Sequence, residues 1–359
     1  MPVPQGRFHV RVRVAPLVAT AIVAALVAHH LSVRSPADVA AVKLVEASAV
    51  TSPPPTATTT VTSAPLVTTT TETTATTATT ATTVTTEAKP TPTTVTTRAT
   101  PPPTTVSRST TAAGSHTETL VLASGDASGL GRAAWVYKPA VPDSDDLPVL
   151  YFLHGLPGSA RDFESAGLAS FLDQAFAAGA PPFMVVVPDG NSPLRADTEW
   201  ADAGDGAIRL ETFLVSTLMS AVEGDHPRDR RRRAIGGFSM GGYGAMNVAL
   251  HHPNLFGQVV SIAGYFHSDD PDGMSAGQPD WAAANSPDQH VPSGSALRMF
   301  LVADADEADP LIAGEAQRFA RLAQGAGQKP ALLVAPGAHN WSFVAGVFPD
   351  VARFLSSGW

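Results

Sequence analysis

From residue 115 onward, short runs of β-branched and apolar residues alternate with stretches of helical periodicity. The runs at 119–123 and 133–137 read as an opening pair of strands. Residues 148–153 form an unbroken apolar strand that ends at His154-Gly155, and 183–187 form another that ends at Pro188-Asp189-Gly190. Four more strands are predicted over 233–238, 258–263, 298–303 and 331–335. Apolar spacing of three and four predicts helices over 162–178, 210–222, 241–251, 311–322 and 341–355. Strands that alternate with helices predict one α/β domain over 115–359, a mostly parallel central sheet flanked by helices on both faces. In such a sheet, ligands bind at the C-terminal ends of the strands.

The first third of the chain has a different pattern. Residues 1–13 carry Arg7, Arg11 and Arg13, and an apolar run over 14–33 follows. A positive segment before an apolar one is the layout of an export signal. At 20 residues the run is just long enough to span a bilayer. Small residues are missing where a cleavage site close behind the run would need them. The segment therefore reads as an uncleaved signal anchor, with a cleaved signal peptide as the alternative, and the basic flank places the remainder outside the cytoplasm. Residues 34–114 form a disordered stalk. Thr makes up nearly half of 51–113, prolines recur and aromatic residues are absent, so too little apolar area exists to offset ordering entropy. Such composition is that of an extended spacer, open to O-glycosylation.

Charge adds an exclusion. Of the chain's 23 basic and 32 acidic residues, 15 and 28 fall in residues 116–359, a net of −13 there against +4 before it. That is no footprint for nucleic acid. The chain has no cysteine, which excludes thiol nucleophiles, disulfides and zinc-thiolate sites. No phosphate-binding glycine loop, dinucleotide motif or metal-ligand cluster is present, so neither cofactor nor metal is expected.

One motif carries chemistry. Gly237-Phe238-Ser239-Met240-Gly241 lies between a predicted strand and a predicted helix, the setting of a nucleophile elbow. Serine needs a general base, which in this arrangement follows the last strand. His339, in Gly337-Ala338-His339-Asn340, stands there. The acid belongs after the strand at 298–303, where Asp304, Asp306, Glu307 and Asp309 all qualify by position. Asp306 is the choice and Asp309 the next; the others read as solvated loop charges. Two backbone N–H groups must face the developing oxyanion. Met240, after the nucleophile, supplies one. Leu156 supplies the other from the loop after 148–153, with Gly155 letting the backbone come close. His154, Gly155 and Trp341 are read as substrate contacts.

Several motifs together resemble the putative-esterase family of the α/β-hydrolase superfamily. They are Tyr151-Phe152-Leu153-His154-Gly155, Pro188-Asp189-Gly190, Glu211-Thr212-Phe213-Leu214, the elbow through Gly242-Tyr243-Gly244-Ala245, and His252-Pro253 through Phe256. The resemblance covers roughly 115–359. That family includes S-formylglutathione hydrolase, feruloyl-esterase-like proteins and mycolyltransferases. It implies an α/β-hydrolase fold, the triad Ser239, Asp306 and His339, and Leu156 and Met240 as oxyanion donors. Where the family's acid often follows a glycine, this chain has Ala303. Mycolyltransferases are similar but use a glutamate acid and have a more aromatic stretch after the histidine. The expected function is therefore an extracytoplasmic serine carboxylesterase acting on a small-molecule or lipid or glycan ester, tied to the membrane by its N-terminal segment. The alternative is an acyltransferase on envelope glycolipid or glycan; a non-catalytic envelope-binding domain is a third reading. The basic cluster at 228–233 reads as a solvated turn before the nucleophile strand, and the polar stretch at 266–294 as part of a lid or a surface excursion.

Overall fold

The computed structural model describes residues 105–110, 114–291 and 297–359. The basic n-region, the apolar run and the stalk as far as residue 104 lie outside the described residues. Among the described residues, no helix is long and apolar enough to cross a membrane.

Among the described residues, nine strands form one sheet: β1 (Thr105–Thr110), β2 (His116–Ala123), β3 (Gly131–Lys138), β4 (Val149–Leu153), β5 (Met184–Pro188), β6 (Arg233–Phe238), β7 (Gln258–Ile262), β8 (Arg298–Asp304) and β9 (Ala331–Ala335). Their order is β1-β2-β3-β5-β4-β6-β7-β8-β9. The first three joins, from β1 to β5, are antiparallel. Every later join is parallel. All five residues of β4, β5 and β7 are buried, which explains why they read as unbroken apolar runs: both sheet faces are covered.

The two faces follow the alternation of side chains along each strand. Tyr151, Val186, Ile235, Val259 and Leu301 point to one face. There they meet α3 (Met240–His251), α4 (Glu315–Gly325) and the three-part helix α2, which runs Leu210–Thr212, Phe213–Leu218 and Met219–Glu223 with a π-helical middle. Leu150, Phe152, Val185, Ala234 and Val260 point to the other face, against α1 (Leu168–Ala177) and α5 (Trp341–Ser356). Register places Leu153 beside Gly237 and Phe238 beside Ile262, so the C-terminal ends of β4, β6 and β7 lie abreast.

The structure departs from the sequence reading in five places. Strand β1 lies inside the segment read as stalk; its Ser107, Ser109 and Thr110 are exposed, and its place is set by the backbone ladder to β2, which no apolar pattern announces. The helix expected over 162–178 is interrupted at Gly167, which adopts φ 78°, leaving a short turn at Asp162–Ser165 and then α1. Helix α4 begins only at Glu315, after Gly314 with φ 79°. The basic cluster is only partly solvated. Arg228 is buried and donates to the carbonyls of Leu147, His226 and Asp145. Arg233 forms a two-point pair with buried Glu223, both contacts at 2.7 Å. The excursion after β7 is packed onto the domain: Met274 and Trp281 are buried, and the Trp281 indole donates to the Asp202 carbonyl at 2.8 Å.

Candidate active site

Strand β6 ends at Phe238 and helix α3 starts at Met240, so Ser239 occupies the turn between them. It adopts φ 57° and ψ −124°, a region that a non-glycine residue enters only when its surroundings hold it there. The turn is held by the Ser239 N–H, which donates to the Ile262 carbonyl at 2.9 Å, and by the Ser239 carbonyl, which accepts from Gly242 at 2.8 Å. It also needs bare backbone on either side. A Cβ on Gly237 would lie 2.3 Å from the Gly241 carbonyl oxygen, and one on Gly241 would lie 2.1 Å from that of Leu153. The glycine spacing of the motif is thus a packing requirement of this sheet.

His339 follows β9, and its ring meets Ser239: Nε2 lies 2.8 Å from Ser239 Oγ. Phe238 packs against the imidazole, with ring centroids 4.7 Å apart. Asn340, the next residue, caps α5 by accepting from the N–H groups of Ser342 and Phe343 at 2.9 and 3.1 Å. That cap sets where the helix starts and so how the histidine is presented.

The carboxylate at the far side of the imidazole is Glu307. Its Oε2 lies 2.6 Å from His339 Nδ1, and its Oε1 accepts from the Asp309 N–H at 2.9 Å. Asp306, the residue expected here, is turned elsewhere: its Oδ2 accepts from the Gly337 N–H at 3.2 Å. Asp304 explains the difference. It is buried at the end of β8, and its Oδ1 accepts from the Asp306 N–H at 2.9 Å. The resulting turn commits Asp306 to the neighbouring loop and swings the next side chain, one methylene longer, to the histidine. Asp309 caps its own turn by accepting from Leu311 at 2.9 Å.

The expected oxyanion donors sit at the same corner. Met240 is the first residue of α3, and its N–H is one of those that a helix leaves without an internal partner. Gly155 presses on Ser239: a Cβ there would lie 2.9 Å from Ser239 Cβ. Leu156 follows it and is 40% exposed. Trp341 is half-buried and packs at a tilt against Phe238 and Phe152, at 5.8 and 6.1 Å between centroids. His154, read as a substrate contact, is fully buried and spends both ring nitrogens on the protein itself. Glu211 and His252, from two of the motifs that carry the resemblance, meet each other at 2.8 Å, with His251 also on Glu211 at 3.0 Å. They tie α2 to the end of α3. Burial would raise the Glu211 carboxyl, yet the two imidazoles hold it down at about 2. Among the described residues, no group of three His, Asp or Glu side chains is placed to hold a metal ion.

Glu199 is a residue that sequence reasoning missed. It is 2% exposed, has φ 48°, and accepts from Ser268 Oγ at 2.5 Å and Tyr265 OH at 3.3 Å. Desolvation pushes its carboxyl up to about 7, and the neighbouring Asp197 adds to the rise. No sequence signal marks such a site, because burial of a lone Glu is decided by what folds over it. The unfolded chain titrates this group near 4.5. The folded state therefore holds the proton more tightly, and this contribution to stability is complete below about 4.5 and lost as pH rises through about 7. A gap of that size corresponds to roughly 3 kcal/mol. Urea unfolding at pH 5, 6 and 8 should show Glu199→Gln losing less stability than the native chain as pH rises; parallel curves would overturn this assignment.

The profile of the family described as Putative esterase matches residues 130–351. The S-formylglutathione hydrolase of Mus musculus is 30% identical over 146 residues, which are 36% of this chain and 50% of that protein; that of Bos taurus gives the same figures. The chain thus spans about half the length of these curated relatives. Among solved structures, a ferulic acid esterase superposes with a TM-score of 0.59 at 23% identity, covering 68% of this chain and 99% of that one. An S-formylglutathione hydrolase from Agrobacterium tumefaciens superposes at 0.53 with 20% identity, covering 70% and 98%. These likenesses establish an α/β-hydrolase-like fold with a mostly parallel central sheet. With the family profile matching well over half of its residues, the chain belongs to the putative esterase family.

Proposed function

We propose that the domain is a serine carboxylesterase that works through an acyl-enzyme, with Ser239, His339 and Glu307 as its triad. The observation that carries this reading is the hydrogen-bonded chain from Ser239 Oγ through His339 to Glu307, built on a strained strand-to-helix turn. Ser239 Oγ–H donates to His339 Nε2, and His339 Nδ1–H donates to Glu307. As Oγ attacks the ester carbonyl carbon, its proton passes to Nε2, and the imidazolium is stabilised by the carboxylate. The carbonyl oxygen becomes an oxyanion beside the Leu156 and Met240 N–H groups. Collapse breaks the bond to the alcohol, which leaves with the proton from Nε2. Water then repeats the sequence on the acyl-enzyme and releases the acid.

The second reading is acyl transfer, with a sugar hydroxyl in place of water. The glutamate at the acid position favours it, because that residue type marks the mycolyltransferase pattern in the resemblance drawn above. Hydrolysis stays the first reading because the matched family is described as an esterase family and the curated relatives are hydrolases. A recess of about 270 Å³ borders the loop that carries Glu307, and Tyr265, His267, Asp269, Leu311 and Arg318 line it. Neither Ser239 nor His339 lines it, so it lies beside the proposed acyl site rather than at it. Transfer, by contrast, requires water to be kept from the acyl-enzyme. Product analysis with an acyl-chain series, run with and without sugar acceptors, separates the two. Free acid should dominate throughout; acylated sugar outweighing free acid would replace the esterase reading with the transferase one.

A further inference from the structure

His154 closes β4 and is fully buried. Its Nε2 lies 2.8 Å from the Gly190 backbone nitrogen. A backbone N–H can only donate, so Nε2 presents its lone pair and the ring proton resides on Nδ1. Nδ1 in turn lies 2.8 Å from the Gly155 carbonyl oxygen, to which it donates. The Trp200 indole stands edge-on to the ring, with centroids 5.1 Å apart, and donates to the His154 carbonyl at 3.1 Å. Three chain segments thereby hold one imidazole in one orientation and one tautomer.

The consequence concerns the next peptide unit. The Gly155 carbonyl and the Leu156 N–H belong to the same planar group and point in opposite directions. Holding the oxygen therefore aims the hydrogen. Gly155 itself lies against Ser239 Cβ, as the 2.9 Å approach of an added Cβ shows. We propose that His154 is the positioning residue of the oxyanion hole: its Nδ1–H pins the Gly155 carbonyl, and so points the Leu156 N–H at the charge that develops beside Ser239. This rests on the esterase reading, with Ser239 as nucleophile and Leu156 as a donor. His154 touches no substrate; it acts through the peptide plane. Its influence should fall on kcat and leave KM nearly unchanged, because an oxyanion is present only in the transition state.

Two substitutions separate the two ring nitrogens. In His154→Asn the side-chain amide nitrogen stands where Nδ1 stood and keeps the bond to Gly155, while the Gly190 contact is lost. In His154→Gln the amide oxygen reaches the place of Nε2 and accepts from Gly190, while the Gly155 bond is lost. With a short p-nitrophenyl ester and the full chain, H154Q should lose about 30- to 100-fold in kcat with KM within about twofold, the scale of a misdirected oxyanion donor, and H154N should lose at least about fivefold less. Inhibition by a trifluoromethyl ketone, whose adduct carries an oxyanion, should weaken in H154Q by the same factor and in H154N by a smaller one. Equal losses in both variants, or none in either, overturn the proposal. A measurement on the native chain stands apart from variant folding: ¹⁵N chemical shifts of His154 should show a protonated Nδ1 and a bare Nε2, and the opposite tautomer overturns it. Failure of the underlying esterase reading looks different, since the native protein would then neither turn over esters nor be labelled at Ser239 by a fluorophosphonate.

Discussion

Ser239→Ala should lower kcat for ester hydrolysis by about 10,000-fold or more, the scale seen when the nucleophile of a triad is removed. The fold should survive. The change deletes one oxygen, and alanine meets the same backbone strain at φ 57° that serine already bears. The bonds that hold the turn, from Ser239 to Ile262 and from Gly242 to Ser239, are made by backbone atoms that the substitution keeps. The variant should therefore melt within a few degrees of the native protein while losing fluorophosphonate labelling. Turnover above about one part in a hundred in a preparation free of contaminating esterase would remove Ser239 from the role of nucleophile. This experiment also bears on the non-catalytic reading, which requires that the native domain neither turn over esters nor react with the probe.

Glu307→Gln should cost about 1,000- to 10,000-fold in kcat, whereas Asp306→Asn should stay within about tenfold. The reason is tautomeric as well as electrostatic. Glu307 accepts at both oxygens, from His339 Nδ1–H and from the Asp309 N–H. If glutamine keeps the Asp309 bond with its oxygen, its amide N–H faces Nδ1. The imidazole must then carry its proton on Nε2, where it can no longer take one from Ser239. Asparagine at 306 can still accept from the Gly337 N–H with its own oxygen, so the loop stays in place. Steady-state kinetics of the two purified variants decide the matter. A larger loss in D306N than in E307Q would return the acid to Asp306 and mean that the 2.6 Å contact to Glu307 is incidental.

Much of this site was legible in the sequence because it is local. The elbow needs small residues at fixed spacing around one serine, and Gly237 and Gly241 announce it since a Cβ at either would strike backbone. His339 was found by its place after the last strand, and the strand order places it there whatever its neighbours are. The acid was not local in this sense. Four carboxylates compete within six residues of loop, and strand alternation, which would say which way each points, ends at Asp304. Only the turn closed by the Asp304 side chain, and the neighbouring Gly337 N–H that claims Asp306, assign the imidazole to Glu307. The misreading of His154 has a similar source. A histidine at a strand end beside the nucleophile loop looks available to substrate, and nothing in its neighbours reveals that Gly190, 36 residues on, occupies its second nitrogen.

By itself the sequence determined the class of the domain, the strands β2 to β9 and the Ser239–His339 pair proposed as nucleophile and base, because periodicity and steric necessity act within a few residues. Tertiary structure decided which carboxylate serves His339, that His154 faces inward, that Glu199 is sealed from water and that β1 continues the sheet into a Thr-rich segment. Each of these depends on a group distant in the chain: a competing N–H donor, a covering side chain or an open strand edge. Their positions are set only when the sheet has closed around them.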